Sequence, residues 1–225
     1  MSRIDDLIAE HCPDGVPFEA LRNIGTWYGG GTPSKGRADY WQDGIIPWLS
    51  PKDMIRGTLS GTEDRIAAAA LESSAVKLVP AGSVAFVVRS NILRRRLPVA
   101  LVPFATTLNQ DMRALVPRED ILLDYVAQVC RARAGAILSS AGRTDGSMAA
   151  IGGPALLEFK IPVPPPAVQQ AIAEMLGKME MLQAELEAEF EAELELRSRQ
   201  YAFYRDSLLT FAEAPPPIGP VGSDG

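Results

Sequence analysis

The sequence is poor in the residues that most enzymes and metal sites need. It holds one histidine, His11, and two cysteines, Cys12 and Cys130, in 225 residues. An adjacent His–Cys pair is two ligands short of a tetrahedral zinc site. The cysteines lack C-x-x-C spacing and read as reduced thiols, which predicts a cytoplasmic setting. No G-x-x-x-x-G-K-[ST] or G-x-G-x-x-G segment offers a phosphate cradle. No G-x-S-x-G elbow occurs, and a single imidazole is a poor start for a nucleophile–base relay. Pro51-Lys52-Asp53 faintly resembles nuclease lettering but lacks an upstream acid at strand spacing. The carboxylate pairs Asp5/Asp6, Glu63/Asp64 and Glu119/Asp120 fall at predicted helix starts or in polar loops, where capping accounts for them. No apolar run approaches the ~20 residues that span a bilayer. The opening MSRIDDLIAEH is acidic and amphipathic, unlike a secretion signal. These absences predict a non-catalytic protein with no metal or cofactor of its own, away from the membrane.

Positive charge is also scarce overall, and a net charge of −6 argues at first against nucleic acid. The charge is uneven, however. Residues 1–163 carry 18 Lys+Arg against 17 Asp+Glu, whereas residues 164–225 carry 4 against 11. Between Phe86 and Arg143 nine arginines face four acids. A near-neutral domain with a basic zone is therefore followed by an acidic appendage.

Within the first part the patterns alternate between short strands and loops. Ser2–His11 reads as a helix, Phe18–Ile24 as a strand, and residues 26–65 as loop-rich around GGGTPSKG. Ala75–Ser90 and Leu97–Pro117 read as strands with prolines at their edges. Asp120–Ala136 reads as a helix capped by Asp120, Ala141–Gly153 as a glycine-rich loop, and Glu158–Val163 as a last strand. The fold class expected is α+β: a mixed, loop-rich β-sheet domain over 1–163.

After Pro164–Pro166 the character changes. From Ala167 to Phe211 there is no proline and one glycine, Gly177. Val168, Ile172, Met175, Met179, Leu182 and Leu186 alternate steps of four and three, a heptad seam. The seam then slips to Phe190 and Leu194 and resumes at Tyr201, Tyr204, Leu208 and Phe211, a stutter that relaxes the supercoil. The helical unit expected over 164–212 has its continuous stretch at Ala167–Phe211, roughly 65 Å long at ~1.5 Å per residue. Its seam (Ile172, Met175, Met179, Leu182, Leu186, Phe190, Leu194, Tyr201, Leu208) needs a partner helix, best supplied by another chain. Residues 213–225 are expected to be disordered.

Three loops could carry recognition chemistry. VVRSNILRRR bunches Arg89, Arg94, Arg95 and Arg96 with Asn91; guanidinium forks and amides suit phosphates and base edges. SPKDM sets Lys52 beside Asp53, and AGRTDGS places Arg143 in flexible backbone. A solvated turn would explain any one of them. Three together, in a domain followed by a long pairing helix, favour nucleic acid. The rival reading is a scaffold that binds protein and dimerises without touching DNA.

The order of several segments resembles the specificity subunit of Type I DNA restriction–modification systems. The matching stretches are LIAEHCPDGVPFEALRNIG (Leu7–Gly25), GGTPSK (Gly30–Lys35), YWQDGIIPWLSPKDM (Tyr40–Met54), LNQDMRALVP (Leu108–Pro117) and GSMAAIGGPALLEFKIPVPPPAVQQAIAEML (Gly146–Leu176). The family often has Gly-Ser-Thr where this chain has Gly146-Ser147-Met148, and Glu-Gln where it has Gln169-Gln170. The familiar subunit holds two recognition domains and two helical spacers; this chain holds one of each.

The resemblance implies sequence-specific recognition of double-stranded DNA without catalysis. Arg89, Arg94, Arg95 and Arg96 would neutralise phosphates or fork to guanine, and Lys52, Asp53, Asn91 and Arg143 would meet base edges. Trp41 and Trp48 would brace the loop that carries Lys52. It further implies methyltransferase subunits as partners, which carry S-adenosylmethionine, and a translocating nuclease subunit. The long helix would pair antiparallel in a homodimer and set the gap between two half-sites.

Overall fold

Apolar and β-branched residues are densest between Ser83 and Pro117, and the main sheet forms there. The computed structural model describes residues 3–145 and 147–211. In chain order the elements are α1 (Arg3–His11), β1 (Phe18–Ala20), β2 (Gly25–Gly29), β3 (Ile46–Leu49), β4 (Arg65–Ile66), α2 (Ala68–Ser73), β5 (Ser83–Val87), β6 (Val99–Val102), β7 (Thr107–Leu108) and β8 (Met112–Pro117), then α3 (Leu123–Ala132), α4 (Ala134–Ala141), β9 (Gly142–Asp145), β10 (Met148–Ile151), α5 (Gly153–Glu158), β11 (Lys160–Pro162) and α6 (Pro166–Leu209). The result is the mixed α+β class with a long C-terminal helix.

The central sheet runs β2-β8-β5-β6, all antiparallel. Every residue of β5 is buried, which explains why Val84–Val87 is an unbroken apolar run rather than an alternating one. Trp27 of β2 packs on Phe86 at 5.3 Å between ring centres, and α3 contributes Val126, Ala127 and Cys130 to the same core. Gly82 enters β5 at φ +78°, a conformation that favours glycine. A second sheet, β4-β3-β7, carries a smaller core of Tyr40, Trp48, Ile66, Ala70 and Val76. Gly30 of GGTPSK ties the two regions together. A Cβ there would come within 1.8 Å of the Asn109 carbonyl oxygen, so only glycine fits against the LNQD turn.

β1 pairs antiparallel with β11, and the Val163 amide donates to the Pro17 carbonyl at 2.8 Å. Pro166 then opens α6, where a missing N–H costs nothing. Val168 and Gln169, in its first turn, are buried. One compact unit accordingly continues past Val163 to Leu176, and a second begins at Gly177.

Several local expectations change. The loop-rich span 26–65 contains β2, β3 and β4, whose residues alternate too briefly for a periodic signal. The single helix expected from Asp120 to Ala136 is two, α3 and α4, meeting at Arg133 (φ −93°, ψ 2°). Asp120 does not cap it: its carboxylate accepts from Arg118 at 2.7 Å, and the N-cap is Leu122. The loop expected at Ala141–Gly153 contains the β9–β10 hairpin. The tail expected at 213–225 lies outside the described residues.

Candidate nucleic-acid interface

β5 leaves the core at Val88, and the arginine loop begins there. Ser90 accepts from the Ile92 amide (3.4 Å) and starts a one-turn helix over Asn91–Arg94. Leu93 and Leu97 are buried four residues apart and anchor the loop to the core. Between them Arg94, Arg95 and Arg96 turn outward and are exposed, as is Asn91. The spacing of two leucines thus dictates which way three cations point.

The β9–β10 hairpin docks against this loop. The Ile151 amide donates to the Val88 carbonyl (2.7 Å), and the Ser90 amide donates to the Ala149 carbonyl (3.0 Å). Arg94 Nη2 donates to the Ser147 carbonyl at 2.9 Å. Leu93, Arg94, Leu138, Gly142, Arg143, Ala149 and Ala150 line a cleft of about 280 Å³ that includes two guanidinium-bearing residues. Arg94 and Arg143, 49 positions apart in the chain, therefore share one site. Arg89 has Asp111 at 3.9 Å. Among the described residues, the side chains of Arg95, Arg96 and Arg143 have no ion-pair or hydrogen-bond partner, so their charge is available to an external anion.

Arg113 belongs to this neighbourhood although its strand pattern hid it. It is half-buried on β8, and its Nη2 lies 3.6 Å from where a Cβ on Gly153 would stand. The Cδ of Arg143 lies 3.9 Å from the equivalent point on Gly152. Two arginines thus flank consecutive glycines. The signal in the sequence was an arginine interrupting an otherwise apolar strand, MRALVP.

Lys52 and Asp53 sit differently. Asp53 Oδ2 accepts from the Ser50 amide (2.9 Å) and the Ser50 hydroxyl (3.0 Å), while Oδ1 accepts from the Glu63 amide (2.9 Å). Lys52 Nζ lies 2.9 Å from both Glu63 and Asp64, and these hydrogen bonds hold its pKa well above the ordinary lysine range. The pair cross-links the turn after β3 to the segment leading into β4. The charge of Lys52 is thus compensated by its own neighbours, unlike the charges of the arginine loop. Among the described residues no hydrogen bond or ion pair joins it to Arg94 or Arg143. Beside it, Trp41 and Trp48 meet edge to face at 5.2 Å, and their indole N–H groups donate to the carbonyls of Ser34 and Gly31. These rings brace the turn.

On α6, Met175, Met179, Leu182, Leu186, Phe190, Leu194, Tyr201 and Leu208 are exposed in the single chain, and Ile172 is half-buried. No described helix is long and apolar enough to cross a membrane, and no described cluster of His, Cys, Asp and Glu could hold a metal.

The chain is 46% identical over 196 residues to the specificity subunit of the Type I restriction enzyme EcoR124I/EcoR124II of Escherichia coli, covering 87% of this chain and 48% of that protein. It is 32% identical over 226 residues to the EcoprrI specificity subunit of Escherichia coli, covering 91% and 53%. The chain spans about half the length of these relatives. A solved chain from a study of complex assembly and conformational transition in the type I R-M system shares the fold, with a TM-score of 0.63 at 20% identity over 88% of this chain and 49% of that one. The HsdS subunit of Thermoanaerobacter tengcongensis does likewise, with a TM-score of 0.57 at 18% identity over 82% and 44%. The family model for the Type I restriction modification DNA specificity domain matches residues 13–196, and the chain belongs to that family.

Proposed function

We propose that this chain reads one half of a bipartite double-stranded DNA target and performs no chemistry itself. The observation that carries the proposal is the joining of two distant loops into one face, with Arg94 and Arg143 in a shared cleft and Arg95 and Arg96 uncompensated beside it. Such a face neutralises phosphates, and exposed Asn91 adds an amide that can fork to adenine. Lys52 and Asp53 serve this reading best as braces, since their polar atoms already have partners.

The chain directs methyltransferase subunits, which hold S-adenosylmethionine, to the site in the cytoplasm; a translocating nuclease subunit completes the restriction assembly. Two copies pair antiparallel through the exposed seam of α6, so that two-fold symmetry in the protein matches an inverted repeat in the DNA.

The test is duplex binding against salt concentration, with the modification subunit present. Changing Arg94, Arg95 and Arg96 to alanine should lower the slope of log K on log salt by up to about 3. Unchanged affinity and slope would remove the loop from the interface. Equal affinity for every duplex would remove sequence recognition and favour a scaffold.

A further inference from the structure

We propose that the two copies pair in one offset register, centred between Leu194 and Arg197, rather than with the middles of their helices aligned. This rests on the homodimer proposed above. The seam of α6 beyond Gly177 has positions 179, 182, 186, 190, 194, 197, 201, 204, 208 and 211. All are apolar or aromatic except Arg197, and the nine apolar or aromatic ones are each more than half exposed. Read in the opposite direction, the ladder meets itself to within one residue. Met179 lies opposite Phe211, Leu182 opposite Leu208, Leu186 opposite Tyr204, Phe190 opposite Tyr201, and Leu194 opposite Arg197. The stutter after Leu186 is absorbed, so each layer brings together the two kinds of seam position that antiparallel helices interdigitate.

Charge selects the same register. Arg197 occupies a core position and is held by Glu193 of its own helix at 2.8 Å. In the offset register Glu193 of the second copy comes beside Arg197 as well, and the symmetry repeats the pairing. Two cations and two carboxylates then share the centre of the coil, where a lone guanidinium would otherwise meet only leucine.

The aligned register, with Leu186 against Leu186, is worse on two counts. It sets Arg197 against Met175, whose thioether is only a weak acceptor. It also places Tyr204 opposite Val168, which is already buried in its own domain, and Leu208 opposite position 164, ahead of the start of α6. The exposed Tyr204 and Leu208 would gain nothing.

Register controls function because it sets reach. At ~1.5 Å per residue, the offset pairing puts the two Leu176 positions about 57 Å apart along the coil, against about 30 Å in the aligned one.

Disulfide trapping in the full chain tests the register; the native Cys12 and Cys130 are free and buried, so they leave the assay clean. A mixture of Leu186→Cys and Tyr204→Cys chains should give a linked dimer on mild oxidation, and Leu186→Cys alone should not. Linkage of Leu186→Cys with itself would overturn the offset register while leaving the homodimer intact. A monomer by light scattering in the unmodified chain would overturn register and homodimer together. A second pair of variants guards against misfolding: Glu193→Arg and Arg197→Glu should each raise the dimer Kd about tenfold, and mixing the two should restore pairing. Failure of the mixture to recover would also refute the proposal.

Discussion

Gln169 is the strongest test of how the domain grips the base of its long helix. It is 1% exposed. Its Oε1 accepts from the Leu122 amide at 2.8 Å, so that it caps α3 where the sequence provides no side-chain cap. Its Nε2 donates to the carbonyls of Pro164 (2.8 Å) and Asp120 (3.2 Å). Gln169→Ala would strand one amide and two carbonyls in a site with little access to water. At ~1 kcal/mol for each lost hydrogen bond, the cost is about 3 kcal/mol. For a domain of this size each kcal/mol lowers Tm by roughly 2–4 °C, so the variant should melt roughly 6–12 °C early. Trp27, Trp41 and Trp48 all lie in the same unit as Gln169, and tryptophan fluorescence therefore reports its unfolding directly. The control is Gln170→Ala next door, which loses one exposed bond to Glu174 and should change stability by less than ~0.5 kcal/mol. A Gln169→Ala variant melting within about 2 °C of the parent would refute the latch.

Asp53→Ala should cost about 1–2 kcal/mol in chemical denaturation, because three hydrogen bonds organising the turn after β3 are lost from a half-buried carboxylate. The bonds from Arg118 hold Glu19 and Asp120 below the usual carboxylate range, and the arginine itself above its own. Folded-state values below the unfolded ones contribute stability above about pH 4 and lose it as pH falls through the folded values. The Tm gap between parent and Arg118→Ala should therefore be widest above about pH 5 and close towards about pH 2; a gap independent of pH would contradict the pairing. Burial raises the Cys130 thiol to about 12, so a thiol reagent at neutral pH should label Cys130 only after denaturant unfolds the domain.

The sequence alone determined whatever is written in local periodicity. The apolar run over Ser83–Val87 marked a strand, and the three-and-four spacing after Pro166 marked a long helix with an apolar seam. It also carried the family, through the order of GGTPSK, the Trp41–Trp48 segment and LNQD. Only the tertiary structure decided which of the candidate residues could work together. Lys52 looked like a free cation beside a free carboxylate until Glu63 and Asp64 came within 2.9 Å of it. Arg94 and Arg143 looked unrelated until the β9–β10 hairpin folded onto Ser90. Arg113 was concealed in a strand, and Gln169 carried no signal of its own role until it was found capping a helix 47 residues earlier. The physical reason is common to all four. Periodicity reports which face of an element avoids water, but the partner of a charge or an amide is chosen by how distant elements pack, and nothing in the local pattern encodes that choice.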